Sequence, residues 1–204
     1  MIPIDQALEL ALSLDPGCRR IDYLTSLYEY ASRLPKPCRI VEIGCYHGQS
    51  TCMMACAIHG TGSELYTIDP LFAKEEVLAP DAEEPKGILY RWGLREFLDV
   101  IQQYHLSDVV YFIPEYSHVA LSHWKEKPVD LLFVDGEHSV AGVLKDCEWM
   151  RVVRSGGYAA FDDWMAAVEH AVQEYIADKP EWKILHESTD TPQDYMCVTL
   201  LQKT

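Results

Sequence analysis

The sequence predicts an α/β protein built on a mostly parallel, doubly wound sheet with helices on both faces. Three observations point there. From residue 38 onward, short apolar runs alternate with segments of helical periodicity; several of these runs end in Gly or Asp; and two further apolar runs near residue 200 flank a turn-rich stretch. Strands that are apolar throughout are buried on both faces, as in a parallel sheet. Such sheets take ligands at the carboxyl ends of their strands.

The first 37 residues carry apolar side chains at helical spacing (Leu8, Ala11, Leu12, Leu14, then Ile21, Leu24, Leu27, Tyr28), broken at Pro16-Gly17 and closed by "LPKP". This reads as two short helices. "CRIVEIG" is a first strand, and the following "CYHGQSTCMMACAIHG" has the length and the closing glycine of a helix. "ELYTIDP" (64–70) and "DVVYFIPEYS" (108–117) are the second and third strands, with helical patterning at 91–105 between them. "VDLLFVDG" (129–136) and "GGYAAFDD" (156–163) are the fourth and fifth, separated by helical "SVAGVLKDCEWMRVV". A helix over about 164–177 leads to "EWKILHE" and "DYMCVTLLQ", which flank "STDTPQ" as a closing antiparallel hairpin. Residues 71–90, with two prolines and five acids, fit no clean element and are expected to form an exposed insertion, a lid being one use.

At 204 residues the chain is long enough for one well-buried domain and short for two, so a single domain is expected: a helical segment (1–37) followed by the core (38–204). With 17 basic against 32 acidic side chains, the net charge of −15 disfavours nucleic acid and anionic membrane surfaces as partners. Seven cysteines, an odd number with no C-x-x-C pair, indicate neither a disulfide framework nor a zinc site. "MIPIDQALEL" lacks the basic start of a secretory signal, and the uncharged stretch 43–63 is too polar to span a membrane. A cytoplasmic protein is expected, with the N-terminal helices offering a homodimer surface or a lid.

In "VEIGCYHGQST" the strand ends at Ile43, and Gly44 and Gly48 let the backbone turn tightly and approach a ligand. The G-x-G-x-x-G dinucleotide fingerprint is absent, as is the Gly-Lys-Ser/Thr of a phosphate loop. Asp69 ends the second strand 69 − 48 = 21 residues after the second glycine, a spacing that suits a carboxylate bonded to ribose hydroxyls. A nucleoside-containing cofactor fits; a tight turn capped by Asp69 would use the same residues.

Asp135 follows strand four, and Asp162 and Asp163 follow strand five, its expected neighbour. Clustered carboxylates repel unless protonated, hydrogen-bonded or bound to a cation. All-oxygen ligation suits Mg²⁺, with Mn²⁺ or Ca²⁺ open. His138, three residues after Asp135, is placed to accept a proton. Plainer roles exist: Asp162 or Asp163 as a helix N-cap, Asp135-Gly136 as a turn, His138 as a solvated side chain.

Glu42, Gly44, Gly48 and Asp69 resemble the E/D-x-G-x-x-x-G loop and following acid of class I S-adenosylmethionine-dependent methyltransferases. With "EIGCYHGQST", "TIDP", "DLLFVDGEHS" and "GGYAAFDDW" in order, residues 38–200 resemble methyltransferase family 24, small-molecule enzymes with a D-G-x-H signature. That resemblance implies a Rossmann-like sheet of seven strands with a reversed last strand. It implies S-adenosylmethionine over Gly44–Gly48 with its ribose near Asp69. The contacts implied are Glu42, Gly44, Tyr46, Gly48, Ser50, Asp69, Ser117 and Asp135, Ser117 lying in the Glu115–His118 segment that approaches the adenine. Related metal-dependent sugar and natural-product methyltransferases are similar at the acids, which makes Asp135, Asp162 and Asp163 ligands for Mg²⁺ or Mn²⁺ and His138 the general base. The first acid of the pair is often Glu in those enzymes; here it is Asp162, one methylene shorter.

The expected activity is divalent-cation-assisted methyl transfer to a small-molecule hydroxyl. Two other readings stay open: a metal-dependent hydroxylase resembling the cephalosporin hydroxylase group, and a non-catalytic S-adenosylmethionine-binding protein. Tyr46, Trp92 and Trp164 either wall an acceptor pocket or pack; His47 reads as an exposed loop residue; Cys52, Met53, Met54 and Cys56 read as core.

Overall fold

The seven apolar runs pair edge to edge into one mixed sheet. A computed structural model of the chain describes residues 1–15, 20–70, 95, 97–125, 127–186 and 198–204. Its strands are β1 (Arg39–Ile43), β2 (Glu64–Ile68), β3 (Val110–Ile113), β4 (Val129–Val134), β5 (Val153–Phe161), β6 (Trp182–His186) and β7 (Thr199–Lys203), ordered β3-β2-β1-β4-β5-β7-β6. The pairs from β3 through β5 are parallel, and β7 lies antiparallel between β5 and β6. The reversed last strand and the adjacency of strands four and five are thus as expected.

Side chains alternate across a strand, so each strand feeds two cores. Ile40, Leu65, Leu131 and Phe133 pack on one face with α1 (Ile4–Leu14), α2 (Ile21–Arg33), α3 (Gln49–Ile58) and α4 (97–103). Val41, Ile43, Ile68, Leu132 and Val134 pack on the other with α5 (Ser117–Ser122), α6 (Val140–Cys147) and α7 (Ala166–Ile176). Every residue of α3 from Ser50 to Ile58 is buried, which explains why 49–58 carries no charge and why Cys52, Met53, Met54 and Cys56 are core residues. The described cysteines, Cys38, Cys45, Cys52, Cys56 and Cys147, are buried and unpaired. Among the described residues no helix is long and apolar enough to cross a membrane.

Element boundaries differ from the sequence reading where backbone chemistry intervenes. β3 stops at Ile113, because Pro114 has no N–H to extend the ladder, and α5 begins within what reads as strand. The segment read as one helix over 139–153 divides into α6, a 3-10 turn at Glu148–Val152, and the first residue of β5. β7 begins at Thr199, later than its apolar run suggests. The insertion at 71–90, Trp92 and the "STDTPQ" turn lie outside the described residues.

Register explains how the acids come to share an edge. Ile113, Ile68, Ile43, Val134 and Phe161 form one continuous cross-strand row. The next residue along each strand is Pro114, Asp69, Gly44, Asp135 and Asp162. The ladder continues one step into that row: Asp69 N donates to Ile113 O (3.2 Å), Gly44 N to Ile68 O (2.9 Å), Asp135 N to Ile43 O (2.8 Å) and Asp162 N to Val134 O (2.9 Å). Three aspartates therefore leave the sheet at one level, with a side-chain-free gap at Gly44 between Asp69 and Asp135.

Candidate active site

Gly44 is obligatory where it stands. Its φ is +85°, and a Cβ there would lie 2.0 Å from the backbone oxygen of Asp135. Gly48, at φ +86°, caps the N-terminus of α3, and a Cβ would fall 2.2 Å from the ring of Phe97 on α4. The loop between them is braced by Asp69, whose Oδ2 accepts hydrogen bonds from the N–H groups of Cys45 (3.0 Å) and Tyr46 (3.1 Å). Asp69 thus orients the glycine loop. Tyr46 is 48% exposed and stacks on His47, so it presents a ring to the outside of the loop. His47, read as exposed, is instead partly covered, with Nδ1 3.5 Å from Asp15 at the end of α1. Burial pushes the Cys45 thiol well up, in keeping with an inert side chain.

Glu42 and Ser50 stand behind this loop. The Glu42 carboxylate is fully buried and accepts hydrogen bonds from Ser50 Oγ and Thr51 Oγ1 on α3 (both 2.5 Å) and from Thr67 Oγ1 on β2 (2.7 Å). Register dictates the last contact, since Glu42 and Thr67 are direct partners in the β1–β2 pair. Burial outweighs the three hydroxyls and raises the Glu42 carboxyl from 4.5 to about 7. The folded state therefore holds a proton that the unfolded chain has released, so this group's contribution to stability is present below the unfolded value and is lost as pH rises through the folded one. Glu42→Gln is expected to flatten that dependence: between pH 4.5 and 8 its stability relative to the parent should improve by up to about 3 kcal/mol. Urea melts of both proteins across the range check this, and a difference independent of pH contradicts it.

At the β4 and β5 ends, the expected cluster assembles with one change of partner. Among the described residues, Asp135, His138 and Asp163 bring ligand atoms within 4.8 Å of one another. His138 lies between the two carboxylates, Nε2 3.6 Å from Asp135 Oδ1 and Nδ1 3.4 Å from Asp163 Oδ2. Its Nε2 is buried without a hydrogen-bond partner. Contact with Asp135 raises the imidazole above its usual value. Burial pushes the Asp135 carboxyl up to about 6 and also raises that of Asp163, with Asp162 adding to both.

Asp162, expected as a third ligand, is held elsewhere. Its carboxylate is 1% exposed and paired end-on with the guanidinium of Arg20, Nη1 to Oδ2 and Nη2 to Oδ1, both at 2.8 Å. Neither Asp162 nor Asp163 caps α7: Met165 occupies that position and no side chain bonds the free N–H groups. Asp163 instead adopts a left-handed conformation (φ +49°), which turns its side chain back toward His138. His138 precedes α6, whose N-cap is Ser139, so the imidazole stands outside the helix at the sheet edge.

Three residues that the sequence reading missed complete the region. Arg20, the N-cap of α2, and Tyr23, in its first turn, reach Asp162 and Asp135; the Tyr23 hydroxyl is 3.4 Å from Asp135 Oδ2. No local signal marks Arg20, because its partner is 142 residues away. Asp146 accepts a hydrogen bond from the Ser117 hydroxyl, and a Cβ at Gly136 would meet Asp146 Oδ2 at 2.9 Å. Trp149 Nε1 donates to the Ser117 carbonyl (3.0 Å). Asp146 thereby ties the start of α5 to the turn after Asp135. A signal for it existed: it shares the buried face of α6 with Val143 and Cys147.

This edge, with its glycine loop after β1, acid after β2 and acids after β4 and β5 on a sheet with one reversed strand, has the form of a class I methyltransferase. Solved structures of that form superpose on it. They include an O-methyltransferase from Bacillus cereus in complex with SAH (17% identity, 100% of this chain, 93% of that one, TM-score 0.68). TomG from Streptomyces achromogenes, an O-methyltransferase of tomaymycin synthesis in complex with SAM, matches at 18% identity over 100% of this chain and 92% of that one (TM-score 0.67). SAH-bound PaMTH1 from Podospora anserina, a methyltransferase, matches at 19% identity over 100% and 89% (TM-score 0.65). The sequence model of the family 24 methyltransferase domain matches residues 41–164. The chain belongs to that family and is a methyltransferase.

Proposed function

We propose that the protein transfers a methyl group from S-adenosylmethionine to the hydroxyl of a small molecule, assisted by a divalent cation. The observation that carries this is the shared edge itself: a side-chain-free gap at Gly44 flanked by Asp69 and Asp135, with Asp163 and His138 alongside. The backbone at Gly44–Gly48 lets a ligand approach closely, Tyr46 offers an exposed ring beside it, and Asp69 stands where ribose hydroxyls would lie. Ser117, fixed by Asp146 and Trp149, edges the adenine side. Glu42 and Ser50 act on the cofactor through the loop they support. The solved neighbours that hold SAH or SAM support this assignment.

The donor set fits a hard cation. Asp135 and Asp163 supply oxygens within the span of one coordination shell, and the imidazole of His138 lies between them, Nε2 toward Asp135 and Nδ1 toward Asp163. Mg²⁺ or Mn²⁺ prefers the carboxylates, which leaves the imidazole to act as a base. When bound, the cation would lower the pKa of an acceptor hydroxyl. His138 takes the proton, Asp135 and Asp163 orient the ring, and the loop aligns the donor for in-line displacement. The net charge of −15 and the single edge site favour a small acceptor over nucleic acid. The buried free thiols suit a reducing, cytoplasmic compartment.

Methyl transfer from labelled S-adenosylmethionine, screened over hydroxylated metabolites with Mg²⁺ and with excess chelator, tests this reading. Transfer to oxygen that falls at least about tenfold in chelator is expected; full activity in chelator removes the cation from the mechanism, and absence of transfer to any hydroxyl removes the acceptor class. Asp146→Ala, which frees Ser117, should raise KM for S-adenosylmethionine while kcat stays near the parent value. A fall in kcat alone would show that Ser117 does not border the cofactor.

A further inference from the structure

We propose that Arg20 is a positioning residue that serves as the acid cluster's built-in cation: it holds Asp162 and so confines an exchangeable divalent ion to Asp135 and Asp163. This rests on reading those two carboxylates as a cation site. The pairing is bidentate at 2.8 Å through both Nη groups, on a carboxylate with no exposed side-chain surface and a guanidinium that is 25% exposed. The guanidinium is fixed from below as well, its Cζ 4.0 Å from the centre of the Tyr23 ring. Tyr23 in turn reaches Asp135, so the N-cap and first turn of α2 touch two of the three acids that close β4 and β5.

The chemistry of the two cations separates their roles. Three carboxylates at one edge need about three positive charges, and one divalent ion supplies two. A guanidinium is permanently charged, cannot dissociate from the chain and fits a carboxylate in a fork, so it satisfies both oxygens of Asp162 in one plane. An exchangeable ion is then left with Asp135 and Asp163, whose remaining coordination is free for water and an acceptor oxygen. Without Arg20, Asp162 would be a buried, unpaired carboxylate whose charge already acts on Asp135 and Asp163, and turning toward their ion would be its way to a counter-charge.

Mn²⁺ binding to the full-length protein, followed through the electron paramagnetic resonance of the free ion, tests the proposal independently of activity. Arg20→Met should bind Mn²⁺ at least about tenfold more tightly than the parent, because it adds a third carboxylate to the site. Asp162→Asn should keep the parent affinity, and Arg20→Met/Asp162→Asn should cancel the gain. The proposal is overturned if Arg20→Met gains nothing, or if Asp162→Asn loses about tenfold or more, which would make Asp162 a ligand in the parent. Should Arg20→Met fail to fold, the Asp162→Asn affinity decides between these outcomes. A parent that binds no Mn²⁺ would sink the cation reading of Asp135 and Asp163 and this proposal with it, whereas a parent that binds Mn²⁺ with no gain in Arg20→Met would sink the proposal alone.

Discussion

His138→Ala is expected to slow methyl transfer by about 10²–10⁴-fold while leaving SAH affinity unchanged. The imidazole sits 3.6 Å from Asp135 and 3.4 Å from Asp163, so its loss removes the proton acceptor while Asp69 and Glu42 still brace the glycine loop. Mn²⁺ affinity should also persist, since the carboxylates carry the ion. Single-turnover rates beside SAH and Mn²⁺ titrations separate the alternatives. Loss of Mn²⁺ affinity would make His138 a ligand, and an unchanged rate would make it a bystander. Asp135→Ala removes both a ligand and the partner of His138 and should be at least as severe; a non-catalytic binding protein would show no such dependence.

Among the described glycines, Gly44 should be the one least tolerant of an added methyl group, that of Gly44→Ala. The added Cβ meets a backbone oxygen at 2.0 Å, and backbone cannot rotate away as a side chain can. The φ of +85° adds strain for any L side chain. A loss of about 3–5 kcal/mol is expected, with β1 and β4 forced apart where Asp135 N donates to Ile43 O. SAH binding should vanish even where the variant still folds. Denaturant melts and calorimetry on the same sample check both; a stable variant that binds SAH normally would show that the gap at Gly44 is not where the cofactor lies.

How far these features could be read in the sequence follows from the range of the forces behind them. Strand ends were legible because burial on both faces makes strands apolar throughout, so an abrupt aspartate after "LLFV" or "YAAF" marks an exit from the sheet. The convergence of Asp135 with Asp162 then follows from the adjacency of strands four and five, which the alternation implies; the register that sets Asp69 at the same level is not encoded in the alternation. The all-buried α3 was legible from its lack of charge. Arg20 was not, since an ion pair between residue 20 and residue 162 depends on how α2 docks over the sheet edge, which no local pattern encodes. That one contact changes the proposed ligand set from three aspartates to two. Asp146 was within reach of helical periodicity, as an acid on an apolar face, but its partner Ser117 sits on an α5 hidden inside an apparent strand.

The central claim is that the edge at Gly44, Asp69 and Asp135 holds S-adenosylmethionine. Isothermal titration of the full-length protein with SAH tests it most directly. A one-to-one complex with a dissociation constant in the micromolar range, or about −8 kcal/mol, is predicted, and it should be abolished by Gly44→Ala. No detectable heat with the folded parent protein, or an affinity that Gly44→Ala leaves untouched, would contradict it.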